Sequence, residues 1–489
     1  MEAFRLNHGG EIRWDYLLIG GEPVTLGQKI DVWNPATGKL AGQVPKGGAK
    51  ETKQAIDAAA RAFPQWAKLP AKVRSGYLKD WADRIERDAK RLAGLLTLEQ
   101  GKPISEAIDE IQGSVEFIRW FAEEGKRAYG EIIPGSREQQ RIMVLKQPVG
   151  VVGMITPWNY PAAMVARKAA PALAAGCCVV IKPASQTPQI AVALIHHLVD
   201  TGLPAGVVNV VTGSASEIGE TMLTDHRVRK ISFTGSTEVG KEIMKKAAGQ
   251  MKRLSLELGG NAPVIVFPDA DLAKAAQAIV DNKYENCGQM CNGINVIYAH
   301  ESILPELTQR ITSLVRSLQV GPGMEQGIQV GPLIDETALS RVERLVADAV
   351  ERGAQVTTGG YRMGTEGLEH GHFYAPTVLT GVTREMAITH EEVFGPVAPI
   401  VSFQSEEEVL TWANDTPYGL AAYFFTTDVS RVYRASEALQ VGMVAINGTS
   451  LSVPQAPFGG IKESGSGREG GHHGLEEYLE LKYISLTLP

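Results

Sequence analysis

Two cysteines four residues apart lie in a segment rich in glycine and asparagine, NCGQMCNG, at residues 286–293. A cysteine thiolate is a strong nucleophile, so Cys291 in this segment is a candidate for covalent catalysis. The alternative is that Cys291 is a small buried apolar side chain, as free cysteines usually are. Cys287 stands one helical turn earlier and is expected to pack in the interior.

An acidic residue, Glu257, ends the apolar stretch LSLE and directly precedes Leu258 and two glycines. A carboxylate at the end of a buried strand is costly unless it has a chemical task or a partner. Glu257 is therefore a candidate general base. A structural ion pair is an equally good interpretation of this segment alone.

Two further segments place polar groups just after predicted strands. FTGSTEVG, with Gly235 and Gly240, is similar to a phosphate-binding turn at a helix N-terminus. It lacks the GxGxxG pattern, and a plain strand–helix turn fits as well. In TPWNYP, Asn159 can direct an amide N–H toward a developing oxyanion, or it can simply satisfy a turn.

Lys182 ends another apolar stretch, in VIKPASQTP, where its ammonium group can meet a ribose or a phosphate. A solvated lysine is the more common outcome for a single position of this kind. Each of these signals is modest when it is taken alone.

The elements that position these residues alternate in a regular way. Residues 51–124 carry apolar side chains at spacings of three and four, which predicts helices. GEIIPG and RIMVLKQPVG then predict an extended, hairpin-like arm. From residue 151, short apolar strands alternate with helices, which predicts a parallel sheet covered on both faces. A second alternating region runs from about 263 to 447. The apolar final strand pairs either within its own chain or with another subunit.

The composition of the chain limits the classes of protein to which it can belong. The 489 residues have a net charge of −7 and no block of basic residues, so the chain lacks the footprint of a nucleic-acid binder. Four cysteines are few for a disulfide framework and favour a reducing compartment. The first 16 residues show no apolar signal region, and no apolar run approaches the ~20 residues of a membrane helix. We expect a cytoplasmic protein without a membrane partner.

The order of the motifs is more specific than any one of them. TPWNYP, KPAS, FTGSTEVG, LELGGNAP, GQMC, EEVFGPV and PFGGIKESGSGRE follow one another as they do in the aldehyde dehydrogenase superfamily, which this chain resembles over nearly its whole length. The stretches AAPALAAGCCVVIKPASQTP, GLPAGVVNVVTG and APFGGIKESGSGREG are most similar to succinate-semialdehyde dehydrogenases.

The resemblance assigns roles to individual residues. The implied nucleophile, base, oxyanion donor and second acid/base pair are Cys291, Glu257, Asn159, and Lys168 with Glu469. The implied contacts to NAD or NADP are Thr156, Trp158, Lys182, Ser185, Gly235, Ser236, Glu392 and Phe394. The implied substrate contacts are Arg167, Ser452, Tyr160 and Phe458. No metal is expected.

The implied reaction is oxidation of an aldehyde to a carboxylate through a thioester on Cys291. Because family members that transfer the acyl group to coenzyme A generally lack the glutamate at the Glu257 position, its presence favours hydrolysis. A coenzyme A-acylating enzyme, a dehydrogenase for neutral aliphatic or aromatic aldehydes, and a non-enzymatic structural or binding member of the superfamily are the alternatives.

Two positions depart from the resemblance. Many NAD-preferring relatives have glutamate where this chain has Ser185, so we expect NADP to be tolerated. Succinate-semialdehyde enzymes hold the distal carboxylate with two arginines and a serine. Arg167 and Ser452 match one arginine and the serine, and Val296 is taken as the position of the other. We expect Val296 to line one wall of the substrate site and Arg167 to be the main anion anchor.

The resemblance also implies an α/β fold with a Rossmann-like cofactor domain (residues 1–127 and 147–256) and an α/β catalytic domain (257–468). A small β arm for oligomerisation is expected at residues 128–146 and 469–489. The expected assembly is a homodimer or a homotetramer that binds a small aldehyde.

Overall fold

The computed structural model describes residues 15–364 and 367–489. The expectation that the chain begins without a signal region concerns residues that lie almost entirely outside this part. Four helices, α1 to α4, occupy the region in which the sequence predicts helices; their bounds are Ala49–Trp66, Ala71–Arg87, Ala89–Gln100 and Ile104–Glu124. Their buried faces carry apolar side chains at helical spacing, such as Ala55, Ile56 and Ala59 in α1.

An eight-stranded sheet forms the first core. Its strands are β1 (Leu17–Ile19), β2 (Glu22–Val24), β7 (Val151–Ile155), β8 (Cys178–Lys182), β9 (Val208–Val210), β10 (Val228–Thr234), β11 (Arg253–Glu257) and β19 (Gly465–Ser466), in the order β19-β11-β10-β7-β8-β9-β1-β2. The five central strands are parallel, as predicted, and the outer ones are antiparallel.

The helices that connect the parallel strands are α5 (Pro161–Ala175), α6 (Pro188–Val199), α7 (Ala215–Thr224) and α8 (Thr237–Ala247). Proline occupies the first turn of α5 and α6, where no backbone N–H is needed, and Ser236 caps α8. The loops between the strands and these helices meet at the carboxyl edge of the sheet, where ligands bind in folds of this kind.

A seven-stranded sheet forms a second, separate core. Its strands are β12 (Ala262–Val266), β13 (Ile294–His300), β14 (Gln355–Thr358), β15 (Thr377–Thr380), β16 (Val397–Phe403), β17 (Ala421–Phe425) and β18 (Met443–Ile446), in the order β14-β15-β16-β13-β12-β17-β18. Its helices are α9 (Leu272–Tyr284), α10 (Leu304–Ser317), α11 (Glu336–Glu351), α12 (Glu406–Asn414) and α13 (Val429–Ala438). Only β14 runs antiparallel to its neighbour.

A three-stranded sheet stands apart from both cores. It consists of β5 (Glu131–Pro134), β6 (Gln140–Pro148) and β20 (Leu479–Thr487), in the order β20-β6-β5, and the short helix α14 (Gly471–Glu476) leads into β20. A two-stranded ribbon of β3 (Lys29–Trp33) and β4 (Leu40–Pro45) completes the fold. The final strand pairs along its full length with β6 of its own chain. Among the described residues, no helix combines the length and apolar character that crossing a membrane requires.

Candidate active site

A cavity of about 690 Å³ lies between the carboxyl edge of the first sheet and the loop that precedes β13. Twelve of the residues predicted to act in the site line it: Asn159, Trp158, Tyr160, Arg167, Gly235, Ser236, Glu257, Cys291, Glu392, Phe394, Ser452 and Phe458. They come from both cores, so folding must bring the two sheets together before the site exists.

The loop that carries Cys291 turns sharply. Asn286, Cys287 and Gly288 have φ values of +50°, +57° and +73°, the left-handed region that asparagine and glycine tolerate best. Cys287 is buried in the second core, which confirms that it packs, although this turn is not the helical turn expected from the spacing. Cys291 follows the turn and faces the cavity.

Burial raises the pKa of the Cys291 thiol to about 12, and the neighbouring carboxyls of Glu392 and Glu257 contribute to the rise. The positive charge of Arg167 acts in the opposite direction. The thiol is therefore protonated at neutral pH in the protein alone, and a nucleophilic role requires that it lose its proton when substrate and cofactor are in place.

Glu257 is the last residue of β11 and is 3% exposed. Neither of its carboxylate oxygens has a hydrogen-bond partner among the described residues, so the structure does not show the structural ion pair that the sequence left open. Burial and the nearby Glu469 raise its pKa well above the usual range. A raised pKa makes the ionised carboxylate a stronger base toward water, which suits a general base.

Asn159 lies in the loop between β7 and α5. Its side-chain Nδ2 donates to the backbone oxygen of Gln289, at 3.0 Å, and its own backbone oxygen accepts from Lys102 Nζ and from Asn286 Nδ2, each at 3.0 Å. The amide nitrogen has a second hydrogen that these bonds leave available. These hydrogen bonds fix Asn159 against the loop that carries Cys291.

No sequence motif singled out the ion pair that supports Asn159. Lys102 and Glu110 are fully buried and lie 2.7 Å apart, between Nζ and Oε2. The second oxygen of Glu110 accepts from the backbone nitrogens of Ala162 and Ala163, at the start of α5. The two residues stand eight positions apart and belong to none of the motifs; the turn made by Gly101 and Pro103 around Lys102 was the available signal.

A second buried ion pair lies behind Glu257. Lys168 Nζ contacts Glu469 Oε1 at 2.8 Å and Ser232 Oγ at 3.1 Å, while the other oxygen of Glu469 has no partner among the described residues. Both side chains are buried. Since the charge of Glu469 raises the pKa of Glu257, the two carboxyls lie close enough to influence one another.

The opposite side of the cavity holds flat and polar groups suited to a nucleotide. The rings of Trp158 and Phe394 meet edge to face, with centroids 5.6 Å apart. Glu392 Oε1 accepts from the backbone nitrogen of Gly260 at 3.0 Å, and burial raises the Glu392 pKa to about 7. A side chain at Gly235 would meet the ring of Phe233 at 2.5 Å, so only glycine fits this turn before α8.

Three other predicted cofactor residues lie outside the cavity lining, near the ends of β7 and β8. Thr156 Oγ1 is buried without a partner among the described residues, as is Oγ1 of nearby Thr234. Lys182 ends β8, and burial lowers its pKa to about 8. Ser185 follows in a half-buried loop. These polar groups lie beside the N-terminus of α8. They could hydrogen-bond a dinucleotide whose phosphates lie at that terminus.

Arg167 lies on α5 and is 4% exposed. Its Nη2 donates to Ser452 Oγ at 2.6 Å, and its guanidinium stacks between the rings of Phe117 and Phe458, at 4.5 and 4.6 Å. Arg167 forms no ion pair with a described residue, and its Nε has no partner there. No described acid therefore engages the Arg167 guanidinium.

The expectation for Val296 was wrong. Val296 is the third residue of β13, is 2% exposed and packs in the second core. It pairs with Pro263 and does not line the Cys291 cavity, because the strand has already left the site by this residue. Glu285, which no motif singled out, lines the cavity and accepts a hydrogen bond from the Tyr160 hydroxyl at 2.8 Å.

Within residues 15–364 and 367–489, no three His, Cys, Asp or Glu side chains are grouped so as to hold a metal ion. The four cysteines are free thiols.

Comparison with known proteins places these residues in a family. Residues 24–484 match the model of the aldehyde dehydrogenase family. The chain is 50% identical to succinate-semialdehyde dehydrogenase [NADP(+)] of Escherichia coli (strain K12), over 96% of this chain and 97% of that protein. It is 50% identical to glutarate-semialdehyde dehydrogenase of Pseudomonas putida, over 94% and 95%.

A crystal structure of an NADP dependent enzyme from E. coli has the same fold, with a TM-score of 0.95 and 49% identity over 97% of this chain and 98% of that one. The predicted aldehyde dehydrogenase-like α/β fold is thereby confirmed. On the strength of the family match and of these relatives, the chain belongs to the aldehyde dehydrogenase family and is an oxidoreductase.

Proposed function

We propose that this enzyme oxidises a small aldehyde with an anionic tail to the carboxylate, with NAD or NADP as the oxidant. The observation that carries the proposal is that Arg167 is buried in the same cavity as Cys291 and forms no ion pair with a described residue. A guanidinium with a free N–H binds a carboxylate or sulfonate through charge-assisted hydrogen bonds. The relatives named for succinate and glutarate semialdehydes support the same class of substrate.

In this mechanism Cys291 Sγ loses its proton and attacks the aldehyde carbon. The oxygen of the resulting thiohemiacetal becomes an oxyanion, which accepts hydrogen bonds from Asn159 Nδ2 and the backbone N–H of Cys291. When bound, the nicotinamide would accept the hydride that the thiohemiacetal carbon must lose to become a thioester. Glu257 takes a proton from a water, whose oxygen attacks the thioester carbon; the carbon–sulfur bond breaks and the Cys291 thiolate leaves.

Two charged side chains near Glu257 can transfer protons to and from it. Glu469 and Lys168 form a buried pair beside Glu257, and we assign them the relay that carries its proton away after hydrolysis. Hydrolysis by Glu257 makes transfer to coenzyme A unnecessary. Adding coenzyme A should therefore leave the product, a free acid, unchanged.

For the cofactor, we assign the adenosine end to Lys182 and Ser185 and the pyrophosphate to the turn of Gly235 and Ser236. Glu392 and Phe394 line the nicotinamide end. With a neutral side chain at Ser185, the 2′-phosphate of NADP meets no negative charge at that position. Ser185→Glu should shift the ratio of kcat/KM toward NAD; an unchanged ratio would show that this residue does not contact the ribose.

Arg167→Ala tests the anion anchor. Its KM for succinate semialdehyde should rise by about tenfold or more, the value of a charge-assisted hydrogen bond, while KM for acetaldehyde and benzaldehyde changes little. Ser452→Ala is a milder control, because it removes one partner of Arg167 and leaves the charge. Equal effects of Arg167→Ala on all three aldehydes would overturn the proposal and favour a neutral aliphatic or aromatic substrate.

We further propose that the enzyme is a cytoplasmic homodimer or homotetramer and that the β5, β6 and β20 sheet contributes to the contact between subunits. The four free thiols suit a reducing compartment. Apolar side chains are exposed on this sheet: Ile132, Leu145, Leu481, Tyr483 and Leu486. Light scattering on the intact chain measures the subunit number, and a monomer would overturn this assignment.

A further inference from the structure

The substrate cavity adjoins a second cavity of about 520 Å³ beside α4 and α9, and the two share part of their lining. The residues that line both cavities are Tyr160, Ala163, Arg167, Asp281, Glu285 and Ser452. We call the region that these six residues line the passage. It contains both the anion anchor Arg167 and the carboxyl group of Glu285.

A hydrogen bond from a neighbouring side chain holds Glu285 in place. Its Oε1 accepts a hydrogen bond from the Tyr160 hydroxyl, at 2.8 Å, and the Tyr160 ring lies 3.8 Å from Lys102 Nζ. No Lys, Arg or His among the described residues lies within ion-pairing distance of Glu285, and its side chain is exposed to the cavity space. One carboxylate oxygen thus remains open to whatever fills the passage.

A tail with only an anion cannot satisfy both groups. It meets Arg167, whose buried Nε has no described partner, but it has no hydrogen for Glu285. An ionised carboxyl only accepts hydrogen bonds, and covering it with carbon removes its water without replacement, which is unfavourable. The lining therefore favours a ligand with an anion and a donor on the same short chain.

We propose that the natural substrate carries a hydrogen-bond donor, a hydroxyl or an ammonium group, on the carbon chain between its aldehyde and its anion, and that Glu285 selects this group. The proposal rests on the proposed function, since it takes the anion to lie at Arg167. The acids Glu106, Asp109 and Glu116 at the second cavity add negative potential around the passage and would favour an ammonium over a hydroxyl.

Three aldehydes with one carbon skeleton test this directly: 4-oxobutanoate, 2-hydroxy-4-oxobutanoate and 2-amino-4-oxobutanoate. For the wild-type enzyme, kcat/KM should be about 10–100-fold higher for one of the two donor-bearing compounds than for 4-oxobutanoate, as expected for a hydrogen bond to a charged group. Glu285→Ala should reduce that ratio to near one.

Two further variants make the result specific. Glu285→Gln keeps an acceptor oxygen and loses the charge, so it should restore much of the preference for a hydroxyl and little of the preference for an ammonium. Glu351→Gln, at an exposed acid that ends α11 and lines neither cavity, should leave the ratio unchanged. Thermal melting of each variant checks that it is folded.

The outcomes separate this proposal from the previous one. If 4-oxobutanoate is oxidised with a KM that depends on Arg167, but the donor-bearing compounds gain nothing or the ratio is unaffected by Glu285→Ala, only the role of Glu285 is overturned. If none of the three compounds is oxidised while neutral aldehydes are, the anionic substrate class fails and the role of Glu285 fails with it.

Discussion

The side-chain amide of Asn159 donates a hydrogen bond to the backbone oxygen of Gln289, two residues before Cys291, at 3.0 Å. The bond joins a loop of the first core to a loop of the second. Because Asn286 Nδ2 also donates to the oxygens of both residues, at 3.0 and 3.2 Å, the two loops are tied at several points. Asn159, the proposed oxyanion donor, is therefore positioned relative to Cys291 before any substrate binds.

Replacing Asn159 by alanine removes both the donor and this tie. We expect kcat to fall by about 10²–10³-fold, the usual cost of losing one oxyanion donor. Steady-state kinetics on a good substrate, with cofactor binding followed by fluorescence, measures both effects. A variant with normal kcat would show that the backbone N–H of Cys291 suffices alone.

The two cysteines of the loop should differ sharply when they are replaced. Cys291→Ala should abolish dehydrogenase activity and retain cofactor binding, because the thiol that forms the covalent adduct is gone. Cys287→Ala should reduce stability modestly and keep activity, since Cys287 only fills space in the second core. The reverse pattern, with Cys287→Ala inactive and Cys291→Ala active, would contradict the assignment.

Glu257→Gln separates the two halves of the reaction. We expect a stoichiometric burst of reduced cofactor and then turnover slowed by about 10²–10⁴-fold, because the thioester forms but no base activates water. Rapid-mixing absorbance resolves the burst from the slow phase. Full steady-state turnover in this variant would exclude Glu257 as the base.

The thiol of Cys291 should respond to pH in one direction. Its pKa is raised to about 12, so the thiolate fraction of the protein without ligands grows about tenfold for each pH unit below that value. Inactivation by iodoacetamide should accelerate accordingly from pH 7 to 10 without a plateau. Glu392→Gln should speed inactivation at a given pH, since it removes a carboxyl that raises this pKa. A plateau below pH 8 would show that the thiol ionises more readily.

Breaking the buried pair of Lys102 and Glu110 should cost stability. Lys102→Met leaves the Glu110 carboxyl buried without its cation, so the free energy of unfolding should drop by about 3–5 kcal/mol. The exposed pair of Arg310 and Glu306 is the matched control, where Arg310→Met should cost less than about 1 kcal/mol. Urea unfolding measures the free energy of unfolding of both variants. Equal losses would show that the buried pair stabilises the protein no more than the exposed pair does.

The fold was predictable where apolar patterns were strong. The parallel strands β7, β8, β10 and β11 read as short apolar runs between helices, and each lies where it was predicted. The N-terminal strands β1 to β4 escaped notice, because they are short and β2 and β3 are largely exposed, so their side chains show no clear alternation. The antiparallel β14, also half exposed, was missed for the same reason.

The site was predictable in part. Cys291, Glu257 and Asn159 stand at strand ends or in turns, where spacing along the chain fixes their position in the fold. The placement of Val296 failed because a count of residues from Cys291 does not show where the loop ends and β13 begins. Lys102 and Glu285 depend on contacts with residues 57 and 125 positions away, at Asn159 and Tyr160, which no local pattern contains.

Only four residues, 258–261, separate Glu257 at the end of β11 from Ala262 at the start of β12. At roughly 3.5 Å per residue, this connection prevents the two halves of the molecule from moving far apart at Glu257, the proposed general base. Any relative rotation of the halves must therefore pivot close to the reacting groups, with the largest displacements at the outer rims. The space available to a substrate tail or to the adenine end of a cofactor can then change while the proposed reacting groups keep their relative positions.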